Sequence, residues 1–132
     1  VLSGVPTSLP SLVKAYRIQD KARAVGFDWE EAQEVWTKVE EELQEVRQAI
    51  EAKEAEDIEG EFGDLLFAVV NAARLYGVNP DNALERTNRK FISRFGYIES
   101  QAKAQGRDIK DLTLGEMDAL WEEAKHLKHS QN

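Results

Sequence analysis

The chain has 132 residues, 25 acidic against 17 basic, and a formal net charge of −8. That length suits one domain with a real core, and the acidic balance argues against general binding to a nucleic-acid polymer, although a local basic stripe can still hold a phosphate. Cysteine is absent, which excludes disulfides, thiolate metal sites and cysteine nucleophiles.

Only three prolines occur, at positions 6, 10 and 80, and strand-like alternation is missing, so the chain reads as all-α, a bundle of about five helices. After an irregular start over 1–8, a first helix runs from about Pro10 to Val25 and is closed by Gly26. Asp28 reads as an N-cap with Glu31 at the third helical position, opening a long second helix to about Lys53. A third helix spans about Ala55 to Tyr76 and ends at Gly77. Asn79-Pro80 supplies a cap and a first-turn proline for a fourth, which reaches Gln105 before Gly106. Thr113-Leu114-Gly115-Glu116 is a capping box for a fifth helix to about Lys128, with a frayed end. The longest apolar run, Leu65 to Val70, is far too short to span a membrane. No signal peptide is visible, which predicts a cytoplasmic protein. The chain starts Val-Leu-Ser-Gly without an initiator Met, as a piece of a longer protein would.

The chemistry lies in two carboxylate pairs, Glu42 with Glu45 and Glu61 with Asp64. Each pair is spaced i, i+3 on a helical stretch, so each puts two acids on one face. The segment between them is short enough to fold the second and third helices into an antiparallel hairpin, which brings four acids toward one point. On helical wheels both pairs border the apolar stripes, an expensive place for unpaired carboxylates. The second helix has the stripe Val35, Trp36, Val39, Leu43, Val46 and Ile50, with Lys38 beside the acids and Glu40 and Glu41 pointing elsewhere. The third has Ile58, Phe62, Leu65, Val69, Ala72 and Tyr76, with Glu61, Asp64, Ala68 and Asn71 along one flank. Such like charges repel strongly unless a cation sits among them, and all-oxygen ligation suits Mg²⁺, with Mn²⁺ as a substitute.

Three other features follow from spacing. Leu66, Phe67 and Val70 lie off the main stripe of the third helix, which predicts a homodimer or larger homo-oligomer that covers them. On the fourth helix Leu84, Phe91, Phe95 and Ile98 form the buried stripe, with Asn88 close to it. Arg86, Lys90 and Arg94 make a basic row able to bind phosphates or simply to solvate the helix. On the fifth, Trp121 and Lys125 offer a flat ring beside a cation, although an isolated Trp is more often core. Trp29 and Trp36 read as packing, and His126 and His129 as ordinary polar residues near the terminus. A di-iron carboxylate bundle would need Glu-x-x-His motifs, and neither histidine is near an acid pair.

Glu41-Glu42-x-x-Glu45, fifteen residues, then Glu61-x-x-Asp64 resembles the signature of the all-α nucleoside triphosphate pyrophosphohydrolases. Gly4-Val5-Pro6, Leu9-Pro10, Arg17-Ile18-Gln19, Val25-Gly26-Phe27-Asp28-Trp29, Gly63-Asp64-Leu65-Leu66-Phe67, Asn88-x-Lys90-Phe91-x-x-Arg94-Phe95 and Trp121 look like the MazG family, most of all the C-terminal of its two related domains. The resemblance covers nearly the whole chain as a single domain. It implies Mg²⁺-dependent hydrolysis of a nucleoside triphosphate between the α and β phosphates, in house-cleaning or control of the nucleotide pool. By motif position Glu42, Glu45, Glu61 and Asp64 would be metal ligands, and Glu41 would act in an outer shell or on water. Lys38, Lys90 and Arg94 would contact phosphates, Asn88 would join them on the substrate side, and Trp121 with Lys125 would lie near the nucleotide. Two other readings remain: a pyrophosphatase narrow for dUTP or dCTP, and a non-enzymatic helical dimerisation module that merely binds Mg²⁺.

Overall fold

The computed structural model describes residues 1–28 and 32–131, with side chains through Leu127. Among them are α1 (Ser11–Ala24), α2 (Ala32–Ala52), α3 (Ala55–Leu75), α4 (Pro80–Ala104) and α5 (Leu114–Gln131), plus 3₁₀ turns at Leu2–Gly4 and Ile109–Asp111. No strand occurs among the described residues, so the all-α expectation holds. Glu31, the expected partner of Asp28 in a capping box, and Trp29 lie outside the described residues. The backbone of α5 continues past the expected end at Lys128.

Three helices stop in the same way. Gly26, Gly77 and Gly106 have φ of 96°, 70° and 69°, a region that costs any residue with a Cβ. Their N–H groups donate to Arg23, Arg74 and Lys103, and the next residues, Phe27, Val78 and Arg107, donate to Ala22, Ala73 and Ala102. That pair of bonds satisfies carbonyls the helix end leaves open. The starts are as local. Asn79 Oδ1 accepts from the backbone of Asp81 and Asn82 at 3.0 and 3.2 Å. Thr113 Oγ1 accepts from Glu116 N at 3.1 Å while Glu116 Oε1 accepts from Thr113 N at 3.0 Å, a reciprocal box.

The described chain forms two compact units, Val1–Ala83 and Leu84–Asn132. In the first, α3 packs against both α1 and α2. The side chains at these contacts are small or β-branched: Val35, Val46 and Ala49 on α2, and Ala68, Val70 and Ala72 on α3 are buried. This corrects the wheel-based stripes. Trp36, Leu43 and Ile50 on α2, Phe62 and Val69 on α3, and Tyr76 at the C-cap of α3 remain exposed, and the buried apolar positions on both helices are taken by the smaller side chains. Val70, expected at a subunit interface, is only 3% exposed and is covered from within the chain, whereas Leu66 and Phe67 stay open. Trp36 does pack, its Nε1 donating to the Tyr76 hydroxyl at 2.8 Å.

In the second unit Ile98, Ala102 and Leu112 form a small core ringed by Ile109, Met117, Leu120 and Trp121. Ile98 is buried as expected, but Leu84, Phe91 and Phe95 are exposed. The turn into α5 is clasped by Arg107, which pairs with Glu116 and donates to the Asp111 carbonyl at 2.9 Å. The Arg107 guanidinium and the Thr113 cap hold the Glu116 carboxyl down to about 2, from an ordinary value of 4.5. A depressed carboxyl favours the fold only while ionised, so its contribution is full above pH 4.5 and lost as pH falls toward 2. Glu116→Gln should therefore flatten the acid side of the melting-temperature curve between those limits, read by circular dichroism, while a curve of unchanged slope would assign acid sensitivity elsewhere.

Candidate functional site

The register of α2 and α3 carries the acids to one place. One carboxylate oxygen from each of Glu42, Glu45 and Glu61 lies within 4.8 Å of the others. Glu42 is 5% exposed, and neither its Oε2 nor Glu61 Oε2 has a hydrogen-bond partner. Burial, then contact with the Glu45 carboxylate and the charges of Asp64 and Glu42, push the Glu61 carboxyl above its ordinary range. Lys38 relieves this locally, one turn before Glu42, with Nζ 2.8 Å from Glu42 Oε1. The bond to Glu42 and its charge raise the Lys38 ammonium above its usual value, so it stays a cation.

These observations test whether a cation suits the site. Octahedral Mg²⁺ with oxygens at about 2.1 Å separates its ligand atoms by about 3 to 4.2 Å, so small rotamer adjustments would suffice. Orphaned buried oxygens and a carboxyl held toward its neutral form are what a hard divalent ion would relieve. The residues fit the ion. Asp64 stands outside the closest trio, yet it lines the same cavity as Glu42 and Lys38. Glu41 is exposed on α2, one residue and about 100° around the helix from Glu42.

That cavity, about 690 Å³, lies among α1, α2 and α3. From α3 it is lined by Asp64, Phe67, Ala68, Asn71 and Arg74, positions that recur on one helical face. α1 contributes Ile18, Gln19 and Ala22, and the following loop contributes Phe27 and Asp28. Arg74 is buried, its Nη2 donating to Asp28 Oδ1 and, at 2.8 Å, to Asn71 Oδ1. Asp28 also pairs with Arg23 at 3.1 Å. Gln19 and Arg74 were not recognised as site residues in the sequence. For Gln19 the signal was the Arg17-Ile18-Gln19 stretch, and for Arg74 the α3 flank Glu61, Asp64, Ala68 and Asn71, which continues to Arg74 when carried on another turn.

Asn88, Lys90, Arg94, Trp121 and Lys125 belong to the second unit. Arg94 lies over the Trp121 ring, 5.5 Å from its centroid, and its Nε is buried without a hydrogen-bond partner. Phe91 meets the same ring at 5.4 Å. Trp121 is thus half-buried packing that also carries a cation. Lys90 and Asn88 are exposed, Asn88 Nδ2 reaching Glu85 at 3.4 Å, and Lys125 pairs with Glu122 at 3.6 Å. His126 is exposed, and the His129 side chain lies outside the described residues.

The fold and the trio of glutamates define an all-α protein with a carboxylate cluster built across two packed helices. The chain belongs to the MazG family, whose nucleotide pyrophosphohydrolase domain matches residues 30–97. It is 43% identical over 117 residues to a nucleoside triphosphate pyrophosphohydrolase/pyrophosphatase MazG of Thermotoga maritima, covering 89% of this chain and 45% of that protein. Identity to a nucleoside triphosphate pyrophosphohydrolase of Escherichia coli K12 is 41% over 130 residues, covering 94% and 48%. An uncharacterized protein YabN of Bacillus subtilis shares 51% over 75 residues, 57% of this chain and 15% of that one. The chain therefore spans about half the length of the nucleoside triphosphate pyrophosphohydrolases it matches.

Proposed function

We propose that this chain, as a single domain, hydrolyses nucleoside triphosphates to the monophosphate and pyrophosphate with Mg²⁺ as cofactor, in house-cleaning or control of the nucleotide pool. The observation that carries this reading is the convergence of Glu42, Glu45 and Glu61, the first and last with an orphaned oxygen, beside the cavity that Glu42 lines. Family membership names the reaction class, and no helix among the described residues is long and apolar enough to cross a membrane.

In this reading Glu42, Glu45, Glu61 and Asp64 hold the ion, with Glu41 in an outer shell. A bound divalent ion supplies charge neutralisation of the phosphates and a more acidic water. Lys38 contributes a permanent cation beside Glu42 that can turn to a phosphate oxygen when substrate arrives. The roles of Asn88, Lys90, Arg94, Trp121 and Lys125 on the substrate side rest on the sequence motif. Water attacks the α phosphorus, its proton passes to a carboxylate, and the bond to the β-phosphate oxygen breaks as pyrophosphate leaves. Positioning and electrostatics supply most of the rate in such a displacement.

Solvent enriched in ¹⁸O gives the direct test. One labelled oxygen per turnover should enter the nucleoside monophosphate and none the pyrophosphate. Orthophosphate with a nucleoside diphosphate as first products would overturn the reading.

The reading includes a homodimer. Trp36, Leu43 and Ile50 on α2 are exposed at seven-residue spacing, as are Phe62 and Val69 on α3 and Tyr76 at its C-cap, with Leu66 between Phe62 and Val69. A seven-residue repeat drifts only about 20° per repeat around a helix, so each set forms a nearly straight seam suited to helix-on-helix packing with a second copy.

A further inference from the structure

We propose that the cavity beside the acid cluster takes the nucleobase of the substrate, and that Gln19 of α1 is the residue that reads the base edge. The ligand's class rests on the nucleoside triphosphate reading above, whereas the argument for the pocket comes from its own polar atoms.

Gln19 is 7% exposed and lines the cavity. Its Nε2 donates to the Phe67 carbonyl at 2.9 Å, which fixes the amide's orientation: the nitrogen is committed to backbone and the oxygen is left over. That Oε1 is buried with no hydrogen-bond partner. Arg74 repeats the pattern with the opposite sign. It is 9% exposed, its Nη2 is held by Asp28 and Asn71, and its Nε is buried without a partner. Two residues that line the cavity therefore each hold a buried polar atom without a partner, an acceptor on Gln19 and a donor on Arg74. Buried polar atoms are normally paired, and each exception asks for an explanation.

Beyond the acids and Lys38 at one end and the Asp28, Asn71 and Arg74 group, most of the cavity surface is apolar, with Ile18, Ala22, Phe67 and Ala68 among its lining. An apolar chamber with a few convergent polar atoms is how small-molecule sites are built, and about 690 Å³ falls within their usual range. The chamber also has direction. Asp64 and Arg74 both line it from α3, and ten helical residues span about 15 Å, so it runs from the acids along the helix to the Arg74 end. A triphosphate cannot lie on apolar walls, whereas a nucleobase presents flat apolar faces. Its edge carries an N–H donor beside a carbonyl or ring-nitrogen acceptor, the complement of Gln19 Oε1 and Arg74 Nε. The phosphates then fall toward the acids and the base toward Gln19.

The test is equilibrium binding by calorimetry in Mg²⁺, with the non-hydrolysable α,β-imido analogues of ATP, GTP, CTP and UTP against base-free ribose 5-triphosphate. Wild type should bind at least one base-bearing analogue about tenfold or more tighter than ribose 5-triphosphate. Gln19→Met, close in shape but without the acceptor, should remove most of that advantage and leave ribose 5-triphosphate binding unchanged. Retention of the full advantage, or an equal loss for both ligand types, would overturn the assignment. Should Gln19→Met fail to fold, the Gln19 side-chain amide resonances of the wild-type protein carry the test. They should shift with a base-bearing analogue and stay put with ribose 5-triphosphate, and the absence of a base-dependent shift would overturn the proposal. Pyrophosphate release is measured in parallel. Base-selective binding through Gln19 without pyrophosphate release would uphold the pocket and overturn the hydrolase reading, and release with binding indifferent to Gln19 would do the reverse.

Discussion

Glu42→Ala, Glu45→Ala, Glu61→Ala and Asp64→Ala should each lower pyrophosphate release by about 100-fold or more at ordinary Mg²⁺, the scale on which removing one group that meets developing charge is felt. The fold should survive, because these side chains repel one another more than they pack. Glu61 gives the sharpest version. Its carboxyl is pushed above the ordinary range by burial and by Glu45, so its proton favours the fold. That stability is complete below the ordinary carboxyl value and is lost as pH rises through the raised one. Metal-free wild type should thus melt lower as pH climbs out of the acid range, and Glu61→Gln should remove that slope. Mg²⁺ should then stabilise wild type at neutral pH and do little for Glu61→Gln. Melting curves with and without chelator check the stability arm, and pyrophosphate assays check the catalytic one. Full activity in any two of the alanine variants would remove these acids from the site.

Leu66→Asp should convert the proposed dimer to monomer, with the dissociation constant rising by about 100-fold or more. Leu66 is 61% exposed and sits among Phe62 and Val69 on the open face of α3. Packing that face on its mate would strand a carboxylate in an apolar seam, at a cost of several kcal/mol, with each ~1.4 kcal/mol a factor of ten. Leu66 serves this purpose better than Phe67, which lines the cavity and would confound assembly with ligand binding. The acids lie on the same two helices, so dissociation should also depress activity. Light scattering at micromolar concentration with a parallel assay decides it. A wild-type chain that runs as a monomer and is fully active would show that the open seam has another purpose.

Much of this molecule is legible in the sequence because its causes are local. Gly26, Gly77 and Gly106 end helices since only a residue without a Cβ takes that φ cheaply, and Asn79 and Thr113 start them through bonds spanning two or three residues. The acid pairs are equally visible, because i, i+3 spacing on a helix leaves little freedom in where two side chains point. What faces what is decided by packing. Wheels place side chains by angle and the apolar stripes follow hydropathy, and so put Phe62, Val69 and Trp36 inside, yet it is Ala49, Ala68 and Ala72 that are buried while these large residues stay open. The cavity was beyond sequence for the same reason. Gln19 and Phe67 stand 48 residues apart, and Arg74 and Asp28 are 46 apart. Only when α1 lies against α3 does an ordinary glutamine lose water, spend its nitrogen on a backbone carbonyl and keep an unanswered oxygen.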